Sequence, residues 1–269
     1  MANIKKKIKE RIIYGLKKYQ KILESAKIRD FNESDTVIIV SDIMADVLGY
    51  DKYMDLTTEF AIRSTFCDLA VKIGDKVQFL VEVKAIGIDL KESHIKQAVD
   101  YAANKGIDWT ILTNGQIWHV YKISFQKPIE HELVFDIDFL NVNPKDPNVI
   151  EKLFLISKEG IVKSAIEDFQ RRQQATNRFT IAAVIQSDTV INVIRRELKR
   201  IFKGIKIDKE QLAEIIRNDV IKRDIIEDER THIETKKICR KKPRRENKTV
   251  SIVEQHFEHP HPKEQDNSG

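Results

Sequence analysis

At 269 residues, with 41% hydrophobic and 33% charged side chains, the chain has the length of one medium domain with appendages or of two small ones. Nine Gly and six Pro fall below ordinary usage, which excludes collagen-like, proline-rich and wholly disordered classes. The formal charge of +5 is a balance: residues 1–27 and 236–248 carry +7 each and leave −9 for the remainder, a distribution that suits a polyanion gripped at the periphery or lysine-rich faces that are simply solvated.

Ile4, Ile8, Ile12, Leu16, Tyr19 and Leu23 recur at three- and four-residue spacing, which predicts an amphipathic helix over 4–26 with a basic outer face. Isoleucines alternating with lysines do not make a secretory signal, and the longest apolar runs, such as Val37–Val40, are far too short to span a bilayer. The helix carries no Trp or Phe, so membrane attachment is not expected. A second helix is predicted from Ser34 or Asp35 to Leu48, with Gly49 at the left-handed position that ends it. The period then changes to alternation, predicting strands over 59–63, 67–73 and 77–84, the last two joined across Gly74, Asp75 and Lys76. Asp89 with Glu92 three residues on predicts a helix start, and Gly106 follows its expected end near Asn104. Trp109–Thr113 and Ile117–Ile123 flank Asn114-Gly115, the pair that favours a type I′ hairpin turn. A short strand over 134–140 and a loop over 141–148 lead into a helical region. The expected organisation is a basic helix at 1–29, an α/β domain at 30–148, a helical region at 149–228 and a disordered polar tail at 229–269 that holds His256, His259 and His261. Cys67 and Cys239, far apart in a charged chain, argue for a reducing, cytoplasmic setting without disulfides.

Chemistry concentrates in the hairpin at 67–84. Its apolar residues fall on odd positions, and a three-residue loop over 74–76 makes paired residue numbers sum to 150, which sets Asp68 opposite Glu82 with Lys84 on the same face. Opposed carboxylates repel, and a divalent cation reverses the sign. Oxygen-only ligation suits Mg²⁺, with Mn²⁺ as a substitute, and a neighbouring lysine able to orient water completes the requirements for phosphodiester hydrolysis. On residue types alone the trio also reads as a surface ion-pair cluster.

The wider context resembles a known family. Phe66 to Ala70, Phe79 to Ala85, the helical Gln97 to Tyr101 and the segment Trp109 to Tyr121 are similar to the PD-(D/E)xK nuclease superfamily, nearest to the N-terminal endonuclease domain of type I restriction enzyme R subunits and related stand-alone proteins. The resemblance covers roughly 30–125. It implies a restriction-endonuclease-like mixed sheet flanked by helices, here with a helical C-terminal extension, and Mg²⁺-dependent cleavage of DNA. By the same resemblance Asp68 and Glu82 are metal ligands, Lys84 is catalytic, Gln97 and Tyr101 position DNA, and the upstream Glu59 is a further candidate ligand. Cys67 stands where the family usually has Pro. No Gly-x-x-x-x-Gly-Lys-Ser/Thr loop occurs, so ATP-driven translocation is not expected of this chain. Expected partners are DNA and restriction or defence-system subunits; the alternative is a nuclease-fold module that binds or assembles without cutting, or one that serves a separately encoded motor. Basic residues at 171, 172, 195, 196, 199 and 200 are candidates for an additional phosphate-binding track.

Overall fold

The computed structural model describes residues 4–62, 65–125 and 128–240. In chain order, α1 (Lys6–Ile28) and α2 (Glu33–Asp46) precede β1 (Leu56–Ile62), β2 (Thr65–Ile73) and β3 (Lys76–Val83). Helix α3 (Glu92–Lys105) crosses over to β4 (Trp109–Thr113), which is followed by β5 (Ile117–Ser124) and β6 (Glu130–Asp138). The six strands form one sheet in the order β1-β2-β3-β4-β5-β6. Every pair is antiparallel except β3 with β4, because only that connection carries a helix, and a parallel return needs a crossover of such length. The chain is α/β, a mixed sheet flanked by helices with a helical C-terminal part.

Two layers cover the sheet, and each follows from the patterning. Ile8, Ile12, Leu16, Tyr19 and Leu23 of α1 and Val40, Ile43 and Met44 of α2 are buried in one cluster with Leu69, Val71, Phe79, Val81 and Val83. Each fully buried Leu or Ile there contributes about 1.5–3 kcal/mol. On α3 the buried residues are the small Ala98, Val99 and Ala102, which let the helix settle over Ala70 and Leu80 in a second cluster. From Phe79 to Val83, even positions of β3 therefore face α3, and odd positions face α1 and α2.

Several boundaries differ from expectation. Helix α2 starts earlier than Ser34 because Asn32 is its N-cap, its side chain accepting from Asp35 N–H at 2.9 Å. Helix α3 starts later than Asp89, after Lys91, whose backbone N–H donates to His94 Nδ1 at 3.2 Å. The turn at 114–117 is not type I′: among non-glycine residues Asn114 has no positive φ, whereas Gly115 sits at +83°, the φ pattern of a II′ turn. Asn114 Oδ1 accepts from both Gln116 and Ile117 N–H, which fixes that choice. Strand β1 begins at Leu56, earlier than expected.

Two compact units emerge, Met1–Thr176 and Asn177–Gly269. The first is completed by α4 (Pro147–Leu155), α5 (Lys158–Val162) and α6 (Ala165–Thr176). The second contains α7 (Arg178–Ile185), α8 (Asp188–Ile201), α9 (Lys209–Ile215), a π-helical turn (Ile216–Val220), α10 (Arg223–Ile226) and α11 (Glu229–Arg240) around a small core of Ala182, Ile191, Ile216 and Ile221. Residues 229–240, expected in a disordered tail, are instead this last helix: Thr231 is buried and bonds to the Ile225 carbonyl, and the Arg230 guanidinium lies 4.0 Å from the centre of the Phe179 ring. The expected tail from 241 onward lies outside the described residues.

Candidate active site

The site grows out of the β2–β3 hairpin. Leu69 pairs with Val81, Ala70 with Leu80 and Val71 with Phe79, the even register that the alternation requires. The loop is shorter than the three residues expected: Ile73 pairs with Lys76 across Gly74-Asp75, and Gly74 takes the left-handed φ of +61°. A one-residue bulge at Gln78, opposite the Val71/Lys72 step, compensates for the shorter turn and restores the register beyond it. It also moves Val77 to the α3 side, correcting the expectation that all odd positions share one face. Cys67 lies on that side too, since the β1–β2 ladder skips Glu59 and Asp68 and the backbone turns there.

At this break Asp68 leaves the ladder. Its Oδ2 accepts from Val83 N–H at 2.7 Å, substituting a side chain for the next strand bond and carrying the carboxylate to the end of β3. Glu82, on the α3 face, is only 2% exposed, and Lys84, one step past β3, is 12% exposed. Lys84 Nζ donates to Glu82 Oε1 at 2.8 Å. The other oxygen, Glu82 Oε2, is buried and has no hydrogen-bond partner among the described residues.

The electrostatics follow from burial first. Loss of water pushes the Glu82 carboxyl up to about 7; the charge of Asp68 adds to this, and the hydrogen bond and charge of Lys84 oppose it. Burial likewise raises Asp68, against the Val83 N–H and the Lys84 charge. Burial alone would lower Lys84, but the hydrogen bond to Glu82 and the charges of Glu82, Glu33 and Asp68 outweigh it and hold the ammonium above its ordinary value. The site has more negative charge than one lysine neutralises, together with a dehydrated oxygen that nothing satisfies. Oxygen-seeking divalent ions fit such a donor set, and Asp68 and Glu82 are the residues that could hold one. Among the described residues no group of three or more His, Cys, Asp or Glu side chains is placed to hold a metal, so the protein offers a carboxylate pair, with water and substrate oxygens left to fill the shell.

One neighbour escaped the sequence reading. Glu33, in the first turn of α2, has Oε2 3.5 Å from Lys84 Nζ, and its charge bears on Asp68, Glu82 and Lys84 alike. It stands 51 positions before Lys84, and no spacing rule links a helix N-terminus to a strand end that far along the chain. Glu59, by contrast, is exposed at φ +48° and makes no hydrogen bond or ion pair among the described residues. Gln97 and Tyr101 lie on one face of α3, the helix above Glu82, and are joined by a 3.0 Å hydrogen bond from Gln97 Nε2 to the Tyr101 hydroxyl. His119 is half-buried and its Nδ1 lies 3.4 Å from the Tyr121 hydroxyl; burial lowers its pKa.

Asp68, Glu82 and Lys84 are gathered at the end of the β2–β3 hairpin, beside the crossover helix α3. Residues 40–137 match the type I restriction enzyme R protein N terminus (HSDR_N). No curated protein and no solved structure matches the chain. The matched segment holds β1 to β5, α3 and nearly all of β6, and with them Asp68, Glu82, Lys84, Glu59, Gln97 and Tyr101. The match supports a nuclease-like function for this segment. Glu33 and α1 precede it. No helix of the described residues is long and apolar enough to cross a membrane.

Proposed function

We propose that the protein is a Mg²⁺-dependent deoxyribonuclease, working without an ATPase motor of its own in the cytoplasm and alongside restriction or defence-system subunits. The observation that carries this reading is the buried, unpartnered Oε2 of Glu82 beside Asp68, with Lys84 on the other oxygen, inside a segment that matches the R-protein N terminus. Asp68 and Glu82 would hold the ion. A divalent ion at this position supplies Lewis-acid stabilisation of charge on the phosphate and makes an attacking water more acidic; Mn²⁺ would substitute. Lys84 orients that water and balances the carboxylates before substrate arrives. Gln97, exposed on α3, and Tyr101, which packs partly against the α3-side cluster and accepts the Gln97 hydrogen bond, position the DNA strand.

Incubation of purified protein with plasmid and Mg²⁺, beside Asp68→Ala, Lys84→Ala and an EDTA control, tests the reading: nicking by the wild type alone is expected. Equal nicking in all four samples would falsify it. The second reading, a nuclease-fold module that grips DNA or an assembly without cutting, draws on the absence of a third convergent ligand among the described residues. Retained binding with no cleavage in any sample would establish that alternative.

A further inference from the structure

The second unit carries a concentration of charge that cleavage does not use. Between 195 and 206 the sequence has Arg195, Arg196, Lys199, Arg200, Lys203 and Lys206 against one acid, Glu197. Helix α8 divides these residues by face. Ile191 and Ile194 go to the small core, while Asn192, Arg195, Arg196 and Lys199, at the i, i+3, i+4, i+7 positions of one helical stripe, line a shallow groove.

The groove is prearranged for an anion. Arg195 is half-buried and its Nε donates to the Ile207 carbonyl at 2.8 Å, which fixes the guanidinium plane beside the charge of Asp208. Arg196 and Lys199 are exposed. Glu197 is shared between Arg196 at 3.7 Å and Arg200 at 2.8 Å, so it neutralises little of the stripe, and Lys199 makes no ion pair among the described residues. A file of cations along one helix, ending in the exposed Phe202, matches the repeating charge of a nucleic-acid backbone better than a single small anion.

We infer that the Asn192–Arg195–Arg196–Lys199 groove binds the phosphate backbone of nucleic acid, as a site separate from the carboxylate pair. The contact is sequence-independent and salt-sensitive, and it does not depend on cleavage.

The full chain in EDTA, titrated with a fluorescein-labelled duplex over a range of salt concentrations, tests this. The variant Arg195→Gln/Arg196→Gln/Lys199→Gln should bind about tenfold or more weakly, and its slope of log affinity against log salt should be shallower by about 2 to 3. A control of equal charge, Lys6→Gln/Arg223→Gln/Lys237→Gln, removes cations already paired elsewhere and should bind nearly as the wild type does. An unchanged slope in the first variant, or an equal loss in the control, would overturn the inference. So would a preference for phosphatidylserine vesicles over duplex that disappears in the same variant, since Ile201 and Ile205 nearby are exposed. Should loss of the Arg195 anchor disturb folding, Arg196→Gln/Lys199→Gln carries the test. A chain that binds through this groove in EDTA but never cuts with Mg²⁺ sinks the nuclease reading and leaves this site standing.

Discussion

Both oxygens of Glu82 lose water, and only one gains a partner. This asymmetry makes its two simplest variants differ. In Glu82→Gln the amide oxygen can still accept from Lys84, and the Asp68 and Glu33 charges still face the ammonium, so stability should change little while the proposed Mg²⁺ or Mn²⁺ binding, read by calorimetry, disappears. Lys84→Met leaves a carboxylate with neither oxygen satisfied, and it should lose about 1–3 kcal/mol in urea denaturation. The loss stays below the range typical of a broken buried ion pair because a carboxyl already pushed to about 7 can take up a proton instead. Equal stability losses in the two variants would count against the one-sided hydrogen bonding. Glu82 and Lys84 were legible as neighbours in the sequence because strand alternation sets them on one face, whereas Asp68 comes to the end of β3 where the β1–β2 ladder breaks. Glu33 was not, since its approach depends on how a helix and a sheet edge pack together.

Among the elements, the β2–β3 hairpin reaches the expected register by an unexpected route. The two-residue turn alone would have shifted the pairing by one and exchanged the faces of β3; the bulge at Gln78 prevents this. Deleting Gln78 should leave pairs Lys72 to Val77 and Val71 to Phe79 adjacent in a regular ladder, so the variant is expected to fold with a stability change within about 1 kcal/mol, measured by thermal melting. Turn length was readable only to within one residue because either solution keeps Phe79, Val81 and Val83 on one face and differs only at Val77.

Arg11 supplies the corresponding test for the helices. Its guanidinium makes paired 2.7 Å bonds to Glu159 of α5 and also donates to the carbonyls of Val47 and Leu48, where α2 ends. Gly49 leaves room for it: a Cβ there would lie 2.4 Å from Arg11 Nη1, at a φ of +82°. Gly49→Ala should therefore cost about 1–2 kcal/mol or more in urea denaturation. Burial by itself would raise the Glu159 carboxyl, but the Arg11 bonds outweigh it and hold the carboxyl below its ordinary value. A depressed folded-state value stabilises above the unfolded one, and that contribution fades as pH falls from about 4.3 through the folded-state value. Urea titrations across this acid range should show the loss in the wild type and not in Glu159→Gln.

The whole molecule divides where the cores do. Met1–Thr176 encloses both layers of the sheet, and Asn177–Gly269 has its own smaller cluster. Residues 1–176 expressed alone are expected to unfold in one cooperative urea transition and to keep the divalent-ion binding proposed for Glu82. Failure to fold would show that the larger core needs the second unit. The charge division is also sharper in three dimensions: α1 packs on the α1/α2 side of the sheet, across from the α3 face where Glu82 lies, so its lysines do not line that face.

The amino-acid sequence by itself determined the periods, and through them which segments are helices and strands, the buried faces, the even hairpin register and the likeness of its central part to the R-protein N terminus. Those properties are local, set by alternation, capping and turn chemistry within a few residues. Only the tertiary structure decided that Glu82 would have one orphaned oxygen, that Glu33 would approach Lys84, that Arg11 would tie three helices and that 229–240 would fold as a helix. Each of these depends on what water is excluded when distant segments meet, and a pattern along one chain does not encode that distance.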